Sequence, residues 1–295
     1  MSNECSTVAV IGAGPAGIAA ALQLKRYGIN TILFEKHRVG GLLCNANLVE
    51  NYPGFPCGIK GVALVELFRR QLAEVGQEIR CEHVTSLQLR DDLFTLDTDQ
   101  GAVSASVVIL ATGTIPLKIS NVEIAEETHP QIMYEVIEAE GIKGKRFAII
   151  GSGDAAFDYA LNLSNHNEVM ILCRSAQPKC LPLLQERCSN SKRIENFYKI
   201  NVNAINLVGD QLQLNCATPD NACQMIEADY ALFAVGRDPC LELLDGTISN
   251  QIDLLVEQKL LYLIGDVQNG IYRQASISIG DGIRAAMEIY DNYKP

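Results

Sequence analysis

The sequence contains two glycine-rich turns, and each comes directly after a short apolar run. The first turn spans residues 12–17 (GAGPAG) after the run at 8–11, and the second spans 151–156 (GSGDAA) after the run at 147–150. A buried strand that ends in such a turn reverses into a helix, whose unpaired N–H groups and positive dipole end favour phosphate. Two turns of this kind predict two dinucleotide-binding βαβ units in one chain.

The first turn is accompanied by the acidic residue that dinucleotide binding uses. A second apolar run at 31–34 ends at Glu35. A carboxylate at the end of that strand is placed to bind both hydroxyls of a ribose. For the second turn, an ordinary strand–turn–helix connection stays open as the alternative.

Bulk properties exclude several kinds of partner. The length of 295 residues predicts about two domains. A net charge of −11 argues against nucleic acid and against an anionic membrane surface. No apolar run approaches the roughly twenty residues of a membrane span, and no basic region followed by an apolar stretch marks a secretory signal. We therefore expect a cytoplasmic protein.

The ten cysteines are scattered along the chain, and no two of them stand in a Cys-x-x-Cys spacing. Zinc sites of the usual spacing are therefore excluded, and we expect no metal. In a cytosolic setting most of these cysteines are expected to be reduced thiols. They are Cys5, Cys44, Cys57, Cys81, Cys173, Cys180, Cys188, Cys216, Cys223 and Cys240.

The order of the patterns predicts an α/β fold with two Rossmann-like three-layer dinucleotide-binding domains, the second inserted in the first. The first domain is expected over 1–116 plus 244–295, and the inserted domain over 117–243. Pro116 and Pro239 lie close to the two crossings. A final helix is expected at about 280–293.

Further short segments accompany the two glycine turns: 40–41 (GG), 49–55 (VENYPGF), 111–113 (ATG), 265–266 (GD), 272–275 (YRQA) and 280–282 (GDG). In this order they resemble the low-molecular-weight thioredoxin reductases, class II of the pyridine nucleotide-disulphide oxidoreductases, which use FAD and NAD(P)H. The resemblance covers nearly the whole chain, and it implies a homodimer.

The resemblance implies a role for each matched position. The glycines of the first turn would cradle the FAD pyrophosphate, Glu35 the ribose and Asp266 the ribityl chain. A helix N-terminus after Gln274 would offer backbone donors to the flavin edge. The full set of implied FAD residues is Gly12, Gly14, Pro15, Ala16, Gly17, Glu35, Lys36, Gly40, Gly41, Leu42, Asn51, Val84, Ala111, Thr112, Gly113, Gly265, Asp266, Arg273, Gln274 and Ala275.

The chain departs from this family at the disulfide. Thioredoxin reductases carry a redox-active Cys-x-x-Cys and a following aspartate just before the second glycine turn. Counted back from residues 143–145, that place holds residues 134–138 (YEVIE) and no thiol. The segment 134–145 and the sequence at 153–160 are closer to the thioredoxin-reductase-like ferredoxin/flavodoxin–NADP reductases, which lack the disulfide.

The nicotinamide cofactor is less well determined by the sequence. The implied NAD(P)H residues are Gly151, Gly153, Asp154, Ala155 and Arg174. Relatives that select NADPH have a His-Arg-Arg cluster after the strand and a later arginine, whereas here Arg174 stands alone with Lys179 downstream. No acidic residue, as an NADH site has, follows the strand, which favours NADPH. NADH, or a domain that no longer binds nucleotide, stays open.

These patterns together predict an FAD-dependent oxidoreductase that passes electrons between NAD(P)H and an external acceptor. The acceptor is expected to be a small molecule or a protein of the ferredoxin or flavodoxin type. Two alternatives stay open: a dithiol reductase that uses other cysteines, and a non-catalytic FAD-binding sensor or subunit. Cys44, shortly after Gly41, is the candidate redox thiol, and a packed loop cysteine is the other interpretation of it.

Overall fold

The computed structural model describes residues 7–292 except 92, 118 and 221. Cys5 lies outside the described residues. The α-helices are α1 (Pro15–Arg26), α2 (Gly61–Glu74), α3 (Asp154–Leu163), α4 (Pro182–Asn190), α5 (Gly246–Ser249), α6 (Ile252–Glu257) and α7 (Ala275–Asn292). None of the described helices combines the length and the apolar character that a membrane crossing needs.

The strands follow the chain in this order: β1 (Val8–Ile11), β2 (Thr31–Phe34), β3 (Ile79–Arg80), β4 (Val84–Arg90), β5 (Leu93–Thr98), β6 (Gly101–Ala105), β7 (Val107–Leu110), β8 (Thr114–Pro116), β9 (Glu123–Ile124), β10 (Ile132–Met133), β11 (Arg146–Ile150), β12 (Glu168–Cys173), β13 (Ile194–Tyr198), β14 (Asn201–Val208), β15 (Gln211–Ala217), β16 (Cys223–Ala228), β17 (Tyr230–Phe233), β18 (Arg237–Pro239) and β19 (Leu261–Leu263). Short 3-10 turns occupy Gly41–Asn45, Glu126–Gln131, Val136–Ala139 and Gly265–Val267.

The chain divides into two compact units. Unit 1 comprises Met1–Cys44, Val49–Ile115 and Asp238–Pro295, and unit 2 comprises Asn45–Leu48 and Pro116–Arg237. The second crossing thus lies at Arg237, before the residue 243 that the sequence suggested, and residues 45–48 group with unit 2. Which cofactor each unit binds stays a prediction.

Unit 1 is built on a parallel sheet with the strand order β19-β7-β1-β2-β3. Helix α1 packs against β1, β2 and α7. Alternate residues of β1 face opposite sides of a sheet, and Ala9 and Ile11 join the apolar cluster of Phe94 and Leu96 from the three-stranded sheet β4-β5-β6. The unit therefore has three layers: helices, parallel sheet and antiparallel sheet.

Unit 2 repeats this arrangement with the parallel order β10-β17-β11-β12-β13. Phe147 and Ile149 of β11 pack with Phe157 of α3 and Cys188 of α4. Ala148, between them, faces the cluster of the four-stranded sheet β16-β15-β14-β9. The predicted α/β class with two Rossmann-like three-layer units is confirmed.

The last helix differs from its prediction, because α7 begins at Ala275 and not near residue 280. Gly280 and Gly282 both lie inside this helix, where glycine is ordinarily unfavourable. A Cβ at Gly282 would overlap the carbonyl oxygen of Ala16, so this glycine lets α7 approach α1 closely. Packing overrides the local preference here.

Candidate active site

The predicted FAD residues of unit 1 gather at one edge of its parallel sheet. Ile11 is in register with Phe34 and with Leu110, and Leu110 is in register with Leu263. The four strands therefore end at the same level, and Gly12, Glu35, the 111–113 segment and the 265–266 turn follow them there. Ligands of open α/β sheets bind outside the carboxyl ends of the strands.

The three glycines of the first turn have different surroundings. Gly12 has a φ of 103°, and a Cβ there would overlap the carbonyl oxygen of Ala111. A Cβ at Gly17 would overlap the carbonyl oxygen of Gly12, so Gly17 lets α1 pack closely on the turn. A Cβ at Gly14, which caps α1, would meet no other part of the protein within 4 Å. This open space at a helix N-terminus fits a pyrophosphate.

Glu35 lies beside the first turn and is held by backbone donors. The N–H of Ala13 donates to Glu35 Oε2 at 2.8 Å, and the N–H of His37 donates to Glu35 Oε1 at 3.0 Å. These bonds fix the carboxylate next to the predicted pyrophosphate cradle, where a ribose would follow. Lys36 is exposed, and the Val84 side chain is buried in the core at the start of β4.

The loop after β2 places Gly40 and Gly41 against the same turn. The N–H of Gly40 donates to the carbonyl of Ala13 at 2.7 Å. A Cβ at Gly41 would lie 3.5 Å from the Cα of Gly14. Leu42 is half-buried, whereas Cys44 is only 7 % exposed and its thiol donates to the carbonyl of Val39 at 3.5 Å. These contacts favour the interpretation of Cys44 as a packed loop cysteine.

The 111–113 segment depends on a residue that sequence reasoning missed. The hydroxyl of Thr112 donates to the carbonyl of Cys240 at 2.6 Å, and the N–H of Cys240 donates to the carbonyl of Gly113 at 3.0 Å. The hydroxyl of Thr112 is thereby committed to the protein backbone. No local pattern signals this role of Cys240, because the pair is distant in sequence and forms only through the fold.

The segments at 265–266 and 272–275 are the last of the predicted FAD-binding segments. Ser278 donates its hydroxyl to Asp266 Oδ1 at 3.1 Å. Asn51 Nδ2 donates to Gln274 Oε1 at 2.7 Å, so the structure brings these two predicted flavin residues together. Arg273 is half-buried, and α7 begins directly after Gln274 at Ala275. The helix N-terminus therefore lies where the resemblance implied it, after Gln274, and not at the start of the helix predicted over about 280–293.

The second glycine turn, in unit 2, has the same local geometry. A Cβ at Gly151 would lie 2.5 Å from the carbonyl oxygen of Ala234, whereas a Cβ at Gly153 would meet nothing within 4 Å. The third position is Ala156, which is fully buried 3.1 Å from the Cβ position of Gly151. The open space at Gly153 again adjoins a helix N-terminus, that of α3.

The loop between β12 and α4 is joined to this turn by two hydrogen bonds. The N–H of Lys179 donates to the carbonyl of Ser152 at 2.6 Å, and the N–H of Leu181 donates to Asp154 Oδ1 at 2.7 Å. Asp154 thus positions the loop, while Ala155 is exposed. Arg174 and Lys179 are both exposed at the carboxyl end of β12. Their charges suit a phosphate group.

Comparison with known proteins identifies the family. The model of the family described as pyridine nucleotide-disulphide oxidoreductase matches residues 6–282. The chain belongs to this family. A thioredoxin reductase from Pneumocystis carinii is 30 % identical over 308 residues, which is 96 % of this chain and 94 % of the relative.

Solved structures agree with the family assignment. The thioredoxin reductase of T. acidophilum matches with a TM-score of 0.84 at 25 % identity, covering 97 % of each chain. That of Lactococcus lactis has the same fold, with a TM-score of 0.85 at 24 % identity, covering 97 % of this chain and 98 % of the other. The chain is therefore an NAD(P)H-dependent flavin oxidoreductase of the thioredoxin reductase type, with FAD as cofactor.

Residues Val136–Ala139, shortly before β11, form a 3-10 turn held by carboxylates. Arg237 donates to Glu135 Oε1 at 3.0 Å, and Glu138 Oε1 accepts the N–H of Glu135 at 2.7 Å. Burial raises the pKa of the neighbouring Tyr159 to about 12, against the lowering effect of Arg237. This segment therefore places the Glu135–Arg237 ion pair beside a phenol whose pKa lies far above neutral pH.

The structure describes nine of the ten cysteines, and several of them are buried. The free thiols include Cys57, Cys81, Cys173, Cys180, Cys188, Cys216 and Cys223. Burial raises the pKa of Cys173 to about 11 and that of Cys188 to about 12. Because the thiolate is the nucleophile in disulfide exchange, both thiols are poor nucleophiles at neutral pH.

Proposed function

We propose that this chain takes electrons from NAD(P)H and passes them through FAD to an external acceptor without any internal disulfide. The observation that carries the proposal is the pair of open second glycines. Gly14 and Gly153 face free space at the N-termini of α1 and α3, whereas protein atoms fill the Cβ positions of the first glycines of both turns. The fold thus leaves open space beside the helix N-terminus at each turn, where a phosphate group can approach.

In the FAD site, we propose that the first turn binds the pyrophosphate and that Glu35 binds the adenosine ribose. Asp266 would hold the ribityl chain, while Asn51 and Gln274, joined by their hydrogen bond, would border the flavin ring. When bound, FAD supplies the hydride and electron chemistry of the reaction. The protein's own contribution is to bind, orient and surround it.

In the nucleotide site, we propose that the second turn binds the pyrophosphate of NADPH and that Arg174 and Lys179 receive its 2′-phosphate. Both side chains are exposed at the strand end, and the loop that carries Lys179 is joined to the glycine turn through Ser152. A guanidinium binds phosphate in a forked geometry that favours NADPH over NADH.

The acceptor is proposed to be external because the sequence has no Cys-x-x-Cys and the buried thiols of the described residues are not activated. Residues Val136–Ala139 form a 3-10 turn held by carboxylates, Cys44 is buried, and burial raises the pKa of the Cys173 and Cys188 thiols. Two classes of acceptor can take electrons directly from a flavin without a disulfide: a small quinone-like molecule and a one-electron carrier protein. The strongly acidic chain disfavours an acidic carrier, because like charges repel.

We also propose a homodimer, with α7 as part of the contact. The buried face of α7 includes Ala285 and Ile289, while Ile277, Ile283 and Met287 on the other side are 41 %, 39 % and 49 % exposed. An apolar stripe on a helix that is already packed on its opposite face is typical of a subunit interface.

An anaerobic titration of the purified yellow protein with NADPH, followed by flavin absorbance, tests the proposed electron path. NADPH is expected to bleach the flavin absorbance of wild-type protein, and NADH is expected to bleach it more slowly. Gly153→Ala is expected to retain FAD but to bleach at least about tenfold more slowly at low NADPH, because its methyl fills the pyrophosphate approach. Arg174→Ala should weaken the binding of NADPH and leave the rate of flavin reduction by NADH unchanged.

Gly14→Ala is the matched control, since the same methyl then falls in the other turn. It is expected to lower FAD content instead. Bleaching of wild-type protein by dithionite but by neither nucleotide would contradict the proposal, because electrons would then have to enter from a protein partner.

A further inference from the structure

We propose that Asp281 is a positioning residue, which holds the 265–269 turn in the shape that lets Asp266 bind the ribityl chain of FAD. The inference rests on the proposed FAD site and adds to it a residue with no role there so far. Asp281 lies in the second turn of α7, and the 265–269 turn follows strand β19. Two hydrogen bonds join the two elements.

Both bonds end on one oxygen of Asp281. The backbone N–H of Gly265 donates to Asp281 Oδ2 at 3.3 Å, and Asn269 Nδ2 donates to the same atom at 2.7 Å. These two donors stand at the beginning and the end of the turn. A single half-buried carboxylate oxygen therefore ties both ends of the turn to helix α7.

The turn also closes on itself. The N–H groups of Gln268 and Asn269 both donate to the carbonyl of Gly265, at 3.0 and 3.2 Å. Gly265 has a φ of 72°, a left-handed conformation that glycine adopts without strain. Gly265 takes part both in these bonds within the turn and in the bond to Asp281. The contact with Asp281 therefore fixes the position of the whole turn.

Packing leaves the turn little freedom to relax in another position. A Cβ at Gly265 would lie 2.8 Å from the Cβ of Ala16 and 3.3 Å from Ser278 Oγ. Gly265 thus lies in close packing distance of both α1 and α7. Ser278, one helical turn before Asp281, donates to Asp266 Oδ1 at 3.1 Å. Helix α7 therefore contacts Asp266 directly through Ser278 and its turn through Asp281.

The charge of Asp281 makes the contacts strong enough to matter. Hydrogen bonds to an ionised acceptor contribute more than neutral ones, and they are shorter when well aligned, as the bond from Asn269 is. Loss of both bonds frees the turn at its two ends. Asp266 then spends part of its time displaced from the position that binds the ribityl hydroxyls.

The test compares FAD binding by holoprotein carrying wild-type sequence, Asp281→Ala or Asp281→Asn. FAD dissociation constants are measured from flavin fluorescence on serial dilution, and melting temperatures are measured at saturating FAD. We expect Asp281→Ala to weaken FAD binding about tenfold or more, in keeping with the loss of two bonds to a charged acceptor. Asp281→Asn, whose amide oxygen accepts the same donors without the charge, is expected to have an affinity between those of Asp281→Ala and wild type.

Two further variants make the result specific. Asn269→Ala removes only the 2.7 Å contact and should weaken FAD binding to a smaller extent than Asp281→Ala. Asp253→Asn, an identical chemical change at an exposed position of α6, should bind FAD as wild type does. Should Asp281→Ala fail to fold, Asn269→Ala and Asp281→Asn carry the same comparison.

The proposal is overturned if Asp281→Ala and Asn269→Ala both bind FAD within twofold of wild type. It is also overturned if their melting temperatures fall while their FAD affinity does not, because that pattern describes a purely structural residue. If purified wild-type protein binds no FAD, the proposed function itself fails. If wild type binds FAD and the variants bind it equally well, only the role of Asp281 fails.

Discussion

At the scale of single residues, the glycines of the first turn divide into two kinds. Gly14→Ala adds a methyl that meets no protein atom, at an ordinary φ of −75°. Gly17→Ala adds one that overlaps the carbonyl oxygen of Gly12. We expect Gly14→Ala to keep the free energy of unfolding of FAD-free protein and to weaken FAD binding. Gly17→Ala should lower the free energy of unfolding by about 1–3 kcal/mol.

Chemical denaturation with and without added FAD separates these effects. Gly28→Ala is not a suitable control, since Gly28 has a φ of 72° and would be strained. Gly246→Ala is suitable, because its Cβ would meet nothing and no positive φ is required. Equal FAD affinity in Gly14→Ala and wild type would contradict the placement of the pyrophosphate.

The buried thiols predict a loss of stability in alkaline solution. The folded protein raises the pKa of Cys188 to about 12 from an ordinary 9.0, so it binds that proton more tightly than the unfolded chain does. The resulting stability is complete below about pH 9 and is lost as the pH rises towards 12. We expect urea midpoints of wild type to fall between pH 8 and about 10.5, and Cys188→Ala to lessen that fall.

The exposed Cys223 provides the matching control, since Cys223→Ala should show the same alkaline fall as wild type. A fall that is equal in Cys188→Ala and Cys223→Ala would assign the loss to other groups.

Residues whose roles arise from local patterns were predictable, and those whose roles arise from distant contacts were not. Gly14 and Glu35 follow apolar runs at a fixed spacing, so the sequence alone places them at strand ends. Cys240 and Asp281 act on segments that other parts of the chain supply. Only the folded arrangement shows which carbonyl or amide they meet.

At the scale of elements, helix α7 illustrates both what a sequence pattern conveys and what it lacks. The residues after 282 form an apolar pattern with helical period, whereas the first five residues of α7, from Ala275, lie outside the helix predicted over about 280–293. Close packing of α7 on α1 at Gly282 removes the penalty of that glycine. Helices α4, α5 and α6 are short, and the sequence did not predict them.

The exposed stripe of α7 leads to a prediction about assembly. We expect wild-type protein to be a dimer in sedimentation equilibrium, and Ile283→Asp to shift it towards monomer by at least about tenfold in dissociation constant, because a charge would be buried in an apolar contact. Val208→Asp makes the same change at an exposed residue of β14 and should leave the dimer intact. A dimer that Ile283→Asp does not weaken would place the interface elsewhere.

At the scale of the whole molecule, the two units repeat one plan. In each parallel sheet, the strand before the glycine turn lies between the next strand of its βαβ unit and a strand from later in the chain. These neighbours are β2 and β7 for β1, and β12 and β17 for β11. The sequence predicted this repeat because both halves have a strand, glycine turn, helix and strand in the same order. In the sequence, Pro239 marks the neighbourhood of the second crossing, but no change of composition identifies Arg237 as its last residue.

The absence of a Cys-x-x-Cys in the sequence has a consequence for the whole electron path. If electrons leave from FAD to an external acceptor, NADPH-dependent reduction of a quinone or ferricyanide should survive alkylation of the thiols with less than about twofold loss of rate, because the exposed thiols of the described residues have no proposed role in the transfer. Those exposed thiols are Cys57, Cys81 and Cys223. Mass spectrometry verifies that they have reacted.

Reduction of thioredoxin or of an aromatic disulfide provides the opposing measurement. A reductase with a redox-active disulfide carries out these reactions through thiols, whereas the sequence of this chain has no Cys-x-x-Cys. We expect no thioredoxin reduction above background, and Cys44→Ser should match wild type with the quinone, since Cys44 is packed beneath Gly40. Loss of quinone reduction on alkylation or in Cys44→Ser would show that a thiol carries the electrons after all.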